Sequence, residues 1–157
     1  MNLDRLLSRN PEDFYHETDS GAYQLVLRLA QPTIITVGAL GSHKYPSGIY
    51  LYTGRASRGL RRRIERHLKA EKKLRWHIDY LLEHAQIEGV RVYPEKASEE
   101  CLINNEMALA VGGIFPMNGF GSSDCRCTSH LMLIPEAQFR NLEPMTGTIP
   151  PKRKQDV

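Results

Sequence analysis

The residues best suited to chemistry lie in one stretch, where an apolar segment ends in Tyr52-Thr53-Gly54 and a strongly basic segment follows. Between positions 55 and 75 the chain holds ten Lys or Arg and two Glu, a formal charge of +8, whereas the whole 157-residue chain carries only +3. Positive charge concentrated in this way indicates an anionic partner, and phosphate is the leading candidate. The alternative is a solvated helix face that binds no ligand.

A second phenol stands at the start of an earlier apolar segment. Residues 21–29 read Gly-Ala-Tyr-Gln-Leu-Val-Leu-Arg-Leu, so that Tyr23 and three leucines alternate with other residues. This period of two predicts a β-strand with one more apolar face. Residues 49–53 predict another strand, which carries Tyr52. On adjacent strands, Tyr23 and Tyr52 could present two phenols to one point beside the basic segment.

The remaining strands must pair with these two. Residues 33–40 are rich in β-branched side chains and predict a strand paired back as a hairpin, with residues 41–44 as a turn. Shorter strands are predicted over residues 89–93 and 127–134. Because the strands mostly come first and the helices later, the pattern predicts an α+β fold with a small, mostly antiparallel β-sheet flanked by helices.

The spacing of apolar residues predicts a helix in the basic segment and two further helices. Leu60, Ile64 and His67 recur at helical intervals, and Ser57 is a possible N-cap. A second amphipathic helix is predicted over residues 74–84. A third, capped by Ser98, is predicted to reach about residue 111.

The composition indicates one globular domain, with 41% apolar and 25% charged residues. We expect an extension over residues 1–20, a folded domain over residues 21–134 and a disordered basic tail over residues 135–157. No apolar run is long enough to span a bilayer, and the first residues lack the features of a signal peptide. The expected location is therefore the cytoplasm, without a membrane partner.

Several motifs together resemble a known family. Gly21-Ala22-Tyr23, Tyr52-Thr53-Gly54 and a helix that opens Leu60-X-X-Arg63 occur in the order typical of the GIY-YIG nuclease domain. Residues 73–82 (KLRWHIDYLL), Glu100-Cys101 and residues 119–131 (GFGSSDCRCTSHL) resemble its stand-alone Uri-type branch. The literal Gly48-Ile49-Tyr50 is not taken as the first motif. The two tyrosines of this family lie on neighbouring strands, whereas Tyr50 and Tyr52 are two residues apart on one strand.

The resemblance implies a role for each candidate catalytic residue. Tyr23 is implied as the general base or its relay, and Tyr52 as the residue that orients water or phosphate. Arg63 would hold a phosphate oxygen through its planar fork, with Arg62 in its place if the turn before the helix lacks one extra residue. His67, one helical turn later, is a phosphate donor or a proton carrier.

The same resemblance implies a divalent metal ion, Mg²⁺ or Mn²⁺, held by a glutamate on the third helix. Glu100 is the first choice, and Glu99 and Glu106 remain alternatives. A cation close to the phenols would also lower their pKa from about 10, the value at which a tyrosine is a poor base.

The three cysteines allow two interpretations. An odd number argues against a disulfide framework and favours reduced thiols or metal ligands. Cys101, Cys125, Cys127 and His130 could bind zinc, but the Cys-X-Cys spacing differs from the usual Cys-X2-Cys. On a strand, the two thiols would also point to opposite faces. The spacing therefore favours buried thiols, and zinc binding remains the alternative interpretation.

Two functions of different class follow. The first is a metal-dependent endonuclease that hydrolyses phosphodiester bonds in DNA. The second is a non-catalytic nucleic-acid-binding module that uses the basic segment 55–75. RNA is not excluded as the partner in either case, and the oligomeric state stays open. The residues predicted to contact the nucleic acid are Arg55, Arg58, Arg62, Arg66, Lys69 and Lys73.

Overall fold

The computed structural model describes residues 19–138. The predictions for the N-terminal extension up to residue 18 and for the basic tail from residue 139 onward lie outside this range. The elements in chain order are β1 (Gly21–Leu29), β2 (Thr33–Thr36), β3 (Ser42–Tyr45), β4 (Gly48–Ala56), α1 (Leu60–Leu68), α2 (His77–Leu82), β5 (Gln86–Pro94), α3 (Glu100–Val111) and β6 (Leu131–Ile134). None of the helices within residues 19–138 has the length and apolar character needed to cross a bilayer.

Four of the strands form one antiparallel sheet in the order β5-β1-β4-β6. The central strands β1 and β4 pair along their whole length, from Gly21 opposite Ala56 to Leu29 opposite Gly48. Helices α1 and α2 pack on one face of this sheet, and α3 packs on the other. The predicted α+β class with a small antiparallel sheet is confirmed.

Strand β1 is buried on both faces, because a helix layer covers each side of the sheet. Arg28 is its one exposed residue. The apolar alternation of Tyr23, Leu25, Leu27 and Leu29 marks the face toward α1 and α2. On the opposite face, Gln24 is fully buried and its amide is satisfied by three side chains, those of Thr53, Arg91 and Tyr93.

The hairpin between the two central strands differs from the prediction. Residues 33–40 do not form one strand, and residues 41–44 are not a turn. Instead β2 pairs with β3 in a separate two-stranded sheet, and the chain reverses through a 3₁₀ turn at Gly38–Leu40. The reversal falls here because Gly38 and Gly41 adopt φ angles of +46° and +81°, which favour glycine.

Helix α2 is shorter than predicted and begins at His77. The buried carboxylate of Asp79 accepts hydrogen bonds from the backbone N–H groups of Arg75 and Trp76, each at 2.9 Å. It also accepts two from the Arg66 guanidinium of α1. Asp79 thus ties α1 to α2 and holds the chain before His77 in a non-helical turn.

The other two helices also begin a few residues away from their predicted starts. Gly59 caps α1 in place of the expected Ser57, with a left-handed φ of +70°. A 3₁₀ turn at Ala97–Glu99 precedes α3, which begins at Glu100 and not at Ser98.

The ion pair between Asp79 and Arg66 yields a prediction about stability. Burial alone would raise the pKa of Asp79, but hydrogen bonds from Arg66, Trp76 and Arg75 outweigh it and hold the pKa below its usual value. A carboxyl group with a depressed pKa stabilises the fold above its unfolded pKa of about 3.9, and this contribution is lost as the pH falls through the folded value. We expect Asp79→Asn to lower the free energy of unfolding by about 3 kcal/mol at pH 7.

Urea unfolding of the two proteins between pH 7 and pH 3 checks this expectation. The difference between wild type and Asp79→Asn should shrink once the pH falls below about 4. Glu83→Gln removes an exposed carboxylate at the end of the same helix and should change stability by less than about 0.5 kcal/mol. A difference that stays constant across this pH range would contradict the assignment.

Candidate active site

Two tyrosines lie side by side on the face of the sheet that α1 and α2 cover. In the register of the central strands, Tyr23 stands opposite Gly54, and Leu25 stands opposite Tyr52. Tyr52 therefore lies two residues before Gly54, the partner of Tyr23. Because side chains alternate along a strand, both tyrosine side chains point to the same face. The Tyr23 ring crosses β4 over Gly54, where an added Cβ would lie 2.6 Å from the phenol oxygen.

His67 of α1 contacts the first phenol. Its Nε2 lies 2.7 Å from the Tyr23 oxygen, and its ring packs near the Tyr52 ring at a centroid distance of 6.2 Å. The histidine is 2% exposed, and within residues 19–138 its Nδ1 has no hydrogen-bond partner. His67 thus supports Tyr23 from inside the protein and does not line the cavity described next.

An open cavity of about 340 Å³ lies over the phenols. The candidates that line it come from β1, β4, α1 and α3: Tyr23, Tyr52, Arg55, Arg63 and Glu100. These residues are spread over nearly 80 positions of sequence, and the fold brings them to one concave surface. Arg62 is exposed and does not line the cavity, whereas Arg63 does.

Burial strongly perturbs the titration of the phenols and of the histidine. Burial raises the pKa of Tyr23 well above its usual range, and the Tyr52 phenol adds to this, while Arg63 opposes it. The pKa of Tyr52 is also raised, first by burial and then by Glu100. Burial lowers the pKa of His67 to about 3. The Tyr23–His67 hydrogen bond therefore joins two neutral groups at pH 7 when no ion is bound.

Arg63 is held at the edge of the cavity by two contacts. Its Nη1 donates to the carbonyl oxygen of Arg55 at 2.9 Å, and its guanidinium carbon lies 4.7 Å from the centre of the Trp76 ring. The same indole ring packs against the Arg66 guanidinium, at 4.3 Å. Trp76 is therefore the platform on which the arginines of α1 are arranged.

Glu100 stands at the cavity, whereas its alternatives do not. Glu99 pairs with Lys96 at 3.0 Å, and Glu106 is exposed on α3. Burial raises the pKa of Glu100 to about 7; Arg55 and Arg63 oppose this, and the neighbouring carboxylate of Asp124 adds to it. Two acidic groups thus share this side of the cavity, and the charge of Asp124 disfavours ionisation of Glu100.

Two cavity residues, Asp124 and His77, were not among the predicted site residues. Asp124 lies in residues 119–131 and His77 in residues 73–82, the two longer stretches that resemble the Uri-type branch. This resemblance was the sequence feature that could have identified them. The backbone N–H of Gly121 donates to His77 Nδ1 at 2.9 Å. The neutral ring therefore carries its proton on Nε2, where it can donate to an anion.

The cations proposed to meet a nucleic acid divide into two groups. Arg66 is engaged within the fold, since it donates to Asp79 and to the carbonyl oxygen of Lys73. The others have exposed side chains on or beside α1: Arg55, Arg58, Arg62, Lys69 and Lys73. We refer to this exposed set, which begins at the cavity with Arg55 and continues along α1, as the basic surface.

The cysteines meet the last histidine directly beside the cavity. One ligand atom from each of Cys101, Cys125, Cys127 and His130 lies within 4.8 Å of the others, so this group could hold a metal ion. Strand β6 begins only at Leu131, which corrects the predicted strand over residues 127–134. Because Cys125 and Cys127 lie in a loop, the strand argument against a shared ligand set does not apply.

Comparison with known proteins identifies a family. A family model described as Domain of unknown function DUF123 matches residues 22–147, which is most of the chain. No curated protein and no solved structure matches.

The close approach of Tyr23 to Gly54 predicts a non-additive pair of substitutions. Gly54→Ala places a methyl group in the space of the phenol ring and should lower the free energy of unfolding by about 2 kcal/mol. In a Tyr23→Ala background the space is open, and the same Gly54→Ala change should cost less than about 0.5 kcal/mol. Urea unfolding of the four proteins measures the coupling. Equal costs in both backgrounds would show that the ring does not occupy this space.

Proposed function

The chain belongs to the family described as Domain of unknown function DUF123, and we propose that it is a metal-dependent endonuclease that hydrolyses phosphodiester bonds in DNA. One observation carries the proposal. Tyr23, Tyr52, Arg63 and Glu100 line one cavity, and these are four of the five residues for which the resemblance to the Uri-type GIY-YIG nucleases implies roles at the reacting phosphate. A domain that only binds nucleic acid needs the cations but not this combination.

The acidic side of the cavity fits a hard divalent cation. Glu100 lines the cavity together with Asp124, whose charge raises the pKa of Glu100. Carboxylate oxygens are the ligands preferred by Mg²⁺ and Mn²⁺, and substrate oxygens and water commonly complete the shell. When bound, such an ion would favour the deprotonated form of nearby groups and offset the negative charge that builds on the phosphate.

Tyr23 and His67 form the proton-handling pair. Tyr23 lines the cavity, and its phenol oxygen is held by His67 Nε2 at 2.7 Å. In the proposed reaction this oxygen receives a proton from the attacking water, while the phenolic proton moves toward His67. Both groups are neutral and buried at rest. The pair therefore becomes a base only when substrate and cation have changed the electrostatic balance.

Three groups are placed to hold the phosphate. The Arg63 guanidinium lines the cavity and is kept in place by the Arg55 carbonyl and the Trp76 ring. A guanidinium offers a planar set of donors that matches phosphate oxygens. The proton on His77 Nε2 and the phenol of Tyr52 supply further donors on the same wall. These groups meet the charge of the transition state without reorganising.

The basic surface beside the cavity accounts for binding of the nucleic-acid backbone. Its five exposed cations can each meet a phosphate, and such contacts position the strand without reading its sequence. We therefore expect recognition of DNA by charge and shape, with RNA as a comparison substrate.

Cleavage of a mixed panel tests the proposal. The panel holds single-stranded, duplex, nicked and branched DNA together with RNA, each with Mg²⁺ or Mn²⁺. We expect wild type to cut DNA, and we expect Tyr23→Phe and Arg63→Ala to lose at least about a hundredfold in rate while still binding. Arg61→Ala is the matched control on α1, since Arg61 pairs with Glu65 and does not line the cavity; it should cut like wild type.

Two results would contradict this assignment. Wild type that binds DNA in a salt-dependent way but cuts no member of the panel with either ion would favour the non-catalytic binding module. Cleavage by Tyr23→Phe and Arg63→Ala at the wild-type rate would place the activity outside this cavity.

The basic surface makes a separate prediction about salt. The logarithm of the binding constant should fall linearly with the logarithm of salt concentration, by about 0.9 for each duplex phosphate contacted. We expect Arg62→Ala or Lys73→Ala to reduce this slope by about one contact and to weaken binding equally on all DNA sequences. Exposed Lys44 lies on β3, so Lys44→Ala serves as the control and should leave the slope unchanged. Fluorescence anisotropy at several salt concentrations measures it.

A further inference from the structure

The group formed by Cys101, Cys125, Cys127 and His130 joins three separate parts of the fold. Cys101 lies in the first turn of α3, Cys125 and Cys127 lie in the loop after it, and His130 directly precedes β6. The Nε2 atom of His130 is 3.5 Å from the Cys125 sulfur and 3.8 Å from the Cys101 sulfur. All four ligand atoms lie within 4.8 Å of one another.

We propose that these four residues bind one Zn²⁺ ion in a tetrahedral Cys₃His site that fixes the geometry of the neighbouring cavity. Zinc lies about 2.3 Å from a cysteine sulfur and about 2.0 to 2.1 Å from a histidine nitrogen, so tetrahedral angles place these two ligands about 3.6 Å apart. The two nitrogen–sulfur distances in the structure, 3.5 Å and 3.8 Å, bracket this value.

The hydrogen bond made by His130 fixes the tautomer in which Nε2 can bind a metal. Its Nδ1 lies 3.1 Å from the carbonyl oxygen of Thr53 on β4 and donates its proton there. The lone pair of Nε2 then points toward the thiols. A ligating histidine usually has its other nitrogen bonded to a carbonyl or a carboxylate in this way. The carboxylate of Glu100 is a second such acceptor, 3.4 Å from Nδ1.

The ligand set and its size favour zinc over other occupants. Three soft sulfur ligands with one imidazole suit Zn²⁺ better than the hard ions that prefer oxygen. A spread of no more than 4.8 Å fits one ion at the centre, whereas an iron–sulfur cluster would separate its ligands further. A disulfide would use two of the three cysteines and leave one thiol beside the histidine.

Two of the four ligands directly follow carboxylates of the proposed active site, and a third, His130, bonds to Thr53 of β4. Cys101 follows Glu100, Cys125 follows Asp124, and Thr53 lies between Tyr52 and Gly54. A zinc ion would therefore hold the two carboxylates of the cavity at a set distance from the Tyr52 strand. The zinc site itself is argued from its own geometry, and only this effect on cleavage rests on the proposed function.

Metal analysis of the full-length chain, purified without chelator under reducing conditions, tests the proposal. Elemental analysis should find about one zinc per wild-type chain, and less than about a tenth of that in Cys125→Ser and His130→Gln. His84→Gln removes an exposed histidine outside the group and should keep its zinc. Tyr23→Phe should also keep zinc while losing cleavage, which separates the two proposals.

Cobalt substitution of the wild type keeps the test decisive if the ligand variants fold poorly. Co²⁺ added to zinc-free protein should produce thiolate-to-metal charge transfer and the visible bands of tetrahedral coordination, and one equivalent of Zn²⁺ should abolish them. Absence of both zinc and these bands, with all three thiols reacting freely with a thiol reagent in the presence of Zn²⁺, would overturn the site. Zinc binding without any cleavage would support the zinc site and contradict the proposed nuclease activity.

Discussion

The arrangement of the candidate site depends on the absence of a side chain at Gly54. The central strands are antiparallel, and their register places Tyr23 opposite this glycine. The phenol ring can therefore pass over β4, within 2.6 Å of where a Cβ would stand. From that position its oxygen reaches His67, and Tyr23 lines the cavity. Any other residue at position 54 would push the ring away and separate the phenol from its partner.

A second constraint holds the basic helix against this phenol pair. The buried carboxylate of Asp79 binds Arg66 of α1 and the backbone N–H groups that precede α2. This places the Trp76 ring beside α1, where the indole supports Arg63 and contacts His67. One buried charge thus sets the position of the arginine that faces the cavity and of the histidine behind it. Its role is structural, and the phosphate-binding function that we propose for Arg63 depends on it.

The cavity disfavours ionisation of two of its acidic groups, Tyr23 and Glu100. Burial raises the pKa of Tyr23, and it raises that of Glu100 to about 7, with the nearby charge of Asp124 adding to the second shift. Folding therefore assembles acidic groups in an environment that resists their ionisation. A divalent cation would reverse this balance for all of them together. Such coupling gives a physical reason why the proposed activity would require metal and substrate together.

The sequence by itself determined the features that depend on local periodicity and on short motifs. Alternation in residues 21–29 marked the central strand, and helical spacing around Leu60 and Ile64 marked α1. Together with the motif order, they indicated Tyr23, Tyr52 and Arg63 as neighbours. The tertiary structure decided what depends on contacts between distant residues. Asp79 shortened α2 through a residue on another helix, and residues 29 positions apart, Cys101 and His130, met as possible metal ligands. Such contacts leave no periodic signal in the chain, because their distances are set by packing and not by spacing along the sequence.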